Sequence, residues 1–261
     1  SGLVASCLED GASVLCAEED FSSLLYPFLA DDRLNVRLVP LDQLLDEVVD
    51  ETDLVAVSAV QSADGRVLDL EDLAEVCART NTRTYVDVSQ AAGWLPLGAE
   101  RFDVMACGAY KWLCSPRGSG FVAVNPEAVW LRPRYAGWYS AEDPWQSLYG
   151  APLKTAGDAR RFNVSPAWFD FVGAARAVEL LAEVGVDHIH RHSVELANQF
   201  RDLIGMKPSN SAIVSISTPR GGALEEAGIV AAVRAGRVRL SFYLYNTPAD
   251  AELAASVLRP D

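Results

Sequence analysis

Lysine is scarce in this sequence: of 22 lysines and arginines, only Lys111, Lys154 and Lys207 are lysines. Ammonium groups this few are not generic solubilising charge, and the place of each is informative. Positive charge as a whole is short, with 36 Asp and Glu against those 22 and a formal net charge of −14. Such a field repels polyanions and excludes nucleic acid and anionic membranes as partners, so any phosphate must be held locally. The five cysteines (Cys7, Cys16, Cys77, Cys107, Cys114) are odd in number, far apart and without a CxxC pair. That argues against a disulfide scaffold and for a reducing, cytoplasmic compartment. No apolar run approaches the ~18 residues of a membrane span, and no charged-then-apolar leader opens the chain. Repeats and low-complexity tracts are missing too. Ser1-Gly2-Leu3-Val4-Ala5 lacks an initiator methionine and enters directly into a helical pattern, as expected of the surviving part of a longer chain.

What is present is a chain of 261 residues, half of them apolar, enough for one large core and a smaller satellite. Short β-branched runs at 14–17, 36–39, 54–60 and 84–87 alternate with helical spacing at 21–30, 41–49 and 70–80. This rhythm predicts an α/β fold with a mostly parallel central sheet and helices on both faces. A turn cluster, Pro116-Arg117-Gly118-Ser119-Gly120, precedes a further apolar run at 121–124. Between Trp130 and Arg161 lies a long stretch rich in aromatics, Gly and Pro, of the kind that contacts partners. Pro166 opens a helical pattern over 168–184 that stops at Gly185. A small α+β unit follows, with helices at 186–203, 224–235 and from Pro248, and strands at 212–218 and 238–244. The expected domains are therefore 1–184 and 185–261.

Asp87 ends an apolar strand, with Gln90 just beyond, and ligands of open α/β sheets bind past the carboxyl ends of strands. A carboxylate there is costly to desolvate unless it meets a proton or cation, which the protonated nitrogen of a pyridine ring supplies. Lys111 follows a second apolar run, with Gly108 and Ala109 leaving room for a bulky group. A lysine partly withdrawn from water loses basicity and attacks aldehydes. By chemistry alone a second explanation stands beside this one: Asp87 caps a turn and Lys111 snorkels.

Val86-Asp87-Val88-Ser89-Gln90, followed by Ala109-Tyr110-Lys111-Trp112-Leu113-Cys114-Ser115-Pro116-Arg117-Gly118-Ser119-Gly120, resembles a known pattern in order and spacing. It is the Asp-x-x-Gln, Lys, Gly-x-Gly signature of the class V aminotransferase group of fold type I pyridoxal-phosphate enzymes. That group includes cysteine desulfurases, kynureninases and isopenicillin epimerase-like proteins, and the likeness runs over essentially the whole chain. It implies pyridoxal 5'-phosphate as cofactor and an amino acid as substrate. Lys111 would form the Schiff base and shuttle protons, Asp87 would pair with the pyridine nitrogen, and Gln90 with the phenolic oxygen. Phe21, in Glu19-Asp20-Phe21-Ser22-Ser23, would stack on the cofactor, and Tyr110 would reach its phosphate; both are kynureninase-like, as is Leu244-Tyr245-Asn246. Arg239, in Arg239-Leu240-Ser241, would hold the substrate carboxylate, a task suited to a guanidinium fork. Trp138 and the run Arg161-Phe162-Asn163-Val164-Ser165-Pro166 resemble segments that cross into a neighbour's active site. The resemblance thus implies a homodimer, Trp138 and Asn163 near substrate and Ser165 at the partner's phosphate.

The departures bear on the reaction. The family's main phosphate cradle would precede Ser1, and Gly108 replaces a phosphate-binding serine of the desulfurases. Persulfide chemistry needs a mobile cysteine well downstream of the lysine, and the last cysteine is Cys114. A lyase or hydrolase that cleaves the side chain is expected, with an aminotransferase as the alternative and an inactive binding or regulatory protein as the alternative of another class. No metal is expected: His188, His190 and His192 lie on a helix where only the first and last share a face, and are read as solvated. Asp31-Asp32 and Glu18-Glu19-Asp20 are likewise read as solvated loop and helix-start charges. Gly118-Ser119-Gly120 precedes a strand, the reverse of a dinucleotide fingerprint.

Overall fold

The computed structural model describes residues 1–259. Strands β1 (Ser13–Ala17), β2 (Asn35–Val39), β3 (Leu54–Ser58), β4 (Arg83–Asp87) and β5 (Val104–Gly108) pair in parallel, and β6 (Gly120–Val124) returns antiparallel to β5. The sheet order is β2-β1-β3-β4-β5-β6. All five residues of β3 are buried, because successive side chains point to opposite faces and both faces are covered. Leu15, Val55, Val57, Val86 and Met105 face one core, and Val14, Cys16, Leu54, Ala56 and Tyr85 the other.

Helices α1 (Gly2–Ser6) and α2 (Ser22–Leu29) cover the second face through Val4, Ala5, Leu24, Leu25 and Phe28. Helix α3 (Leu70–Thr80) covers the first through Leu73, Val76 and Cys77. Its ends are fixed locally. The Asp69 carboxylate accepts from the Glu71 and Asp72 amides at 3.0 Å, and Asn81 stops the helix in the left-handed region, as capping chemistry requires.

Helix α4 (Trp168–Val184), helix α5 (Val186–Leu203), strand β7 (Ile213–Ile216), helix α6 (Gly221–Glu226), strands β8 (Ala232–Arg234) and β9 (Arg237–Ser241) and helix α7 (Pro248–Leu258) complete the chain. The three strands form an antiparallel sheet of order β7-β9-β8 around a core containing Leu196, Phe200, Val214, Leu240 and Ala254. Ile189, Ala212, Ile213 and Tyr243 join the core of the large sheet. Trp94, fully buried, stacks on His190 with centroids 5.7 Å apart and planes 9° from parallel.

Three expectations are corrected. The 41–49 segment makes only a short 3-10 turn, Leu41–Gln43, then irregular turns. Its apolar spacing still buries Leu41, Leu44 and Val48, and Arg37 donates to the Glu47 carbonyl at 2.5 Å, a bond from β2 that holds the turn in place of a helical one. The 224–235 helix ends early, at Glu226, with Gly228 beyond it at φ +76°, and Ala232–Arg234 is a strand. Ala235 and Gly236, both at positive φ, make the tight turn that returns β8 into β9. Among the histidines only His188 is exposed; His190 lies against Trp94, and His192 Nε2 is 3.0 Å from the Asn246 carbonyl oxygen.

Candidate active site

The carboxyl ends of β3, β4 and β5 and the β8–β9 hairpin converge on a cavity of about 400 Å³. Asp87 closes β4. One of its oxygens accepts from the Ser89 amide at 2.7 Å, and the Ser89 hydroxyl in turn accepts from the Gly108 amide at 3.0 Å, so the ends of β4 and β5 are stitched together. Gln90, one turn on, is held at both ends: its Nε2 donates to Ser62 Oγ at 3.1 Å and its Oε1 accepts from Trp112 Nε1 at 2.9 Å. A primary amide has two N–H donors, so one remains for a ligand.

Lys111 lies in the tight turn after β5, which closes where the Ser115 amide donates to the Ala109 carbonyl at 3.1 Å. The turn is pinned from the small sheet by the Tyr243 hydroxyl, 2.5 Å from the Trp112 carbonyl oxygen and 3.1 Å from that of Gly93. Lys111 Nζ sits 5.6 Å from the centre of the Phe21 ring and 6.0 Å from that of Tyr110. Burial pushes its pKa below the ordinary lysine value. The Asp87 charge opposes that shift, and Arg239, Arg234 and Arg117 add to it. An amine of lowered basicity is the chemical result.

Phe21 stands at the entrance to α2, and Tyr110 carries the Arg117 guanidinium 4.1 Å from its ring centre. A Cβ on Gly108 would lie 3.1 Å from Tyr110 Cε1, so the ring fills space that a serine at 108 would contest. Arg239 donates through Nη1 to the Ser62 carbonyl, while its buried Nε has no partner among the described residues. Burial, with the nearby Arg234 charge, lowers its pKa. A buried guanidinium N–H without a partner, on a side chain that lines the cavity, suits a carboxylate.

Phe21, Gln90, Tyr110, Lys111 and Arg239 therefore meet in one cavity, and Asp87, which is not among its lining residues, acts on Lys111 through its charge. Trp138, Asn163 and Ser165 do not line it. Trp138 packs edge-on against Tyr139 at 5.1 Å and against Trp145 at 5.5 Å, and Asn163 and Ser165 are exposed. Asp20 overturns its reading as a solvated charge: it is 7% exposed and accepts from the Ser58 amide at 3.1 Å and Gln61 Nε2 at 3.2 Å. Burial pushes its pKa up to about 6, against those hydrogen bonds and with the help of the Asp87 charge. Ser62, Trp112, Arg117, Arg234 and Tyr243 also line the cavity and were not singled out as site residues. Gln61 and Ser62 follow the apolar strand β3 as Gln90 follows β4, the one signal that could have flagged them.

The donor set fits pyridoxal phosphate: an amine of lowered basicity, a carboxylate at the carboxyl end of an interior strand, an amide with a spare donor and an aromatic face beside the amine. The family model for class V aminotransferases matches residues 27–222. An uncharacterized aminotransferase of Bacillus subtilis, YcbU, is 30% identical over 227 residues, covering 80% of this chain and 60% of that protein. A probable cysteine desulfurase of Aeropyrum pernix is 27% identical over 299 residues, covering 95% of this chain and 72% of that one. The apo structure of the cysteine desulfurase of Thermococcus onnurineus NA1 superposes with a TM-score of 0.84 at 21% identity, over 98% of this chain and 75% of its own. The α/β architecture is that of these proteins, and the chain spans about three fifths of the length of the B. subtilis relative. It belongs to the class V aminotransferase family of pyridoxal-phosphate-dependent enzymes.

Proposed function

We propose that the protein is a lyase or hydrolase that cleaves the side chain of an amino acid, by carbon–sulfur β-elimination or in the manner of a kynureninase. Pyridoxal phosphate, when bound, supplies an aldehyde for amines and a ring that takes up electrons released at Cα. The chain's own residues do the rest. Lys111 offers an amine of lowered basicity and moves a proton at the substrate Cα; Asp87 keeps the ring nitrogen protonated; Gln90 orients the ring oxygen through its spare N–H. Phe21 covers one ring face, Tyr110 donates to the phosphate and Arg239 binds the α-carboxylate. The observation that carries the reading is the Lys111 amine, 5.6 Å from the Phe21 ring centre and 6.0 Å from that of Tyr110, in the field of Asp87.

Side-chain cleavage is favoured over persulfide formation by where the thiols lie. Cys114 lies in a left-handed turn three residues past Lys111, and partial burial raises its pKa. Incubation of the cofactor-loaded protein with amino acids tests the reading. Pyruvate and ammonia, or a cleaved aromatic acid, are expected. Stoichiometric conversion of the cofactor to its amine with release of an oxo acid would show an aminotransferase instead.

A homodimer belongs to the same proposal, with Trp138, Asn163 and Ser165 serving the neighbouring protomer's cavity. The aromatic loop and α4 leave Trp145, Tyr149 and Phe169 exposed at 69%, 93% and 92%, an apolar surface of the kind that marks an interface. A division into domains 1–184 and 185–261 at Gly185 is likewise proposed. So is a cytoplasmic setting, supported by five free cysteines; among the described residues no helix is long and apolar enough to cross a membrane.

A further inference from the structure

The cavity carries more positive charge than this chemistry uses. Lys111, Arg117, Arg234 and Arg239 line it and no carboxylate does, in a chain of net charge −14. Arg239 is spoken for by the α-carboxylate, and Arg117 lies on the Tyr110 ring. Arg234 has no such task. In the β8–β9 ladder Arg239 pairs with Ala232 and Arg234 with Arg237, so these side chains share one sheet face and Arg234 is the diagonal neighbour of Arg239. Arg237, on that face, is tied to the Ser215 hydroxyl and carbonyl, both at 3.0 Å. Arg234 reaches only the carbonyl of its own neighbour, Val233, at 2.8 Å. It enters none of the ion pairs among the described residues. Two guanidinium groups side by side without a counter-charge repel each other, and an anion bound between them turns repulsion into charge-assisted hydrogen bonding.

We propose that Arg234 selects substrates whose side chain carries a second negative charge, a carboxylate or a sulfur oxyanion, while Arg239 holds the α-carboxylate. The inference rests on the amino-acid reading of the cavity given above. The cofactor-loaded protein, once its uptake of pyridoxal phosphate is measured, is titrated with L-aspartate, L-glutamate and L-cysteate and with the neutral L-asparagine and L-glutamine. Dissociation constants come from the visible absorbance of the bound cofactor. At least one carboxylate is expected to bind about tenfold or more tightly than its amide, the worth of one charge-assisted hydrogen bond, with cysteate separating sulfonate from carboxylate preference. In Arg234→Gln that ratio is expected to collapse towards one. A ratio near one in the wild type overturns the proposal without recourse to any variant. So does an Arg234→Gln protein that keeps the ratio but binds pyridoxal phosphate more weakly relative to pyridoxal, since Arg234 would then serve the phosphate. Failure to take up pyridoxal phosphate at all sinks the reading of the cavity, and the proposal with it; a loaded protein without anionic preference sinks the proposal alone.

Discussion

Asp20→Asn makes the electrostatics of the site measurable without any ligand. The Asp20 carboxyl is buried against the Ser58 amide and Gln61, in the field of Asp87, and its pKa stands at about 6 against an ordinary 3.8. The folded protein therefore binds this proton more tightly than the unfolded chain. Between about pH 4 and pH 6 the folded state holds more protons, so this group's contribution to stability falls as pH rises through the window and is level above it. A carboxyl moved from 3.8 to about 6 is worth about 3 kcal/mol at 1.36 kcal/mol per pH unit. Asparagine keeps the shape and an oxygen for Ser58 but does not titrate. Its amide can donate to Gln61 Oε1, which is buried without a partner.

The assay is urea unfolding of the cofactor-free protein followed by tryptophan fluorescence, with wild type and variant side by side at several pH values so that every other titrating group cancels. The variant is expected to gain on the wild type by about 3 kcal/mol, good to about a factor of two, from near pH 4 to near pH 7. A stability difference that stays flat across that range would refute the assignment of a raised pKa to Asp20, whatever its size.

Three further outcomes are expected. Gly93→Ala introduces a Cβ 2.7 Å from the Trp112 carbonyl oxygen at a φ of +109°, and should cost about 3 kcal/mol or more, a fall in Tm on the order of 10 °C by calorimetry. Trp94→Ala removes a fully buried ring stacked on His190 and should destabilise by about 4 kcal/mol in urea unfolding, with Trp94→Phe costing clearly less. Arg239→Gln should raise KM for the amino acid about tenfold or more through loss of a charge-assisted pair, with far-ultraviolet circular dichroism and melting temperature close to wild type.

Much of the fold was legible because the large sheet is covered on both faces, so its strands read as short unbroken apolar runs, and helix 70–80 shows its apolar spacing. The segments that misled are those where local competition outweighs spacing. Leu41, Leu44 and Val48 have helical periodicity but reach the core from turns, and Ile229-Val230 with Ala235-Gly236 signal a hairpin that apolar spacing disguised as a helix. That error hid Arg234, since a residue on a helix has no reason to face the cavity. In the candidate site, the positions of Asp87 and Lys111 at neighbouring strand ends were legible from apolar runs and small neighbours. Asp20 was not, because its burial comes from β3, 38 residues away at Ser58, and an acidic run looks solvated when viewed alone.

The most direct measurement uses the scarcity of lysine. The protein is loaded with pyridoxal phosphate, reduced with borohydride, digested, and the peptides carrying the reduced cofactor are mapped by mass. The label is expected on Lys111 and to vanish in Lys111→Ala. Label on Lys154 or Lys207 instead, or none on a protein that has bound the cofactor, would contradict the placement of the reactive amine between Phe21 and Tyr110.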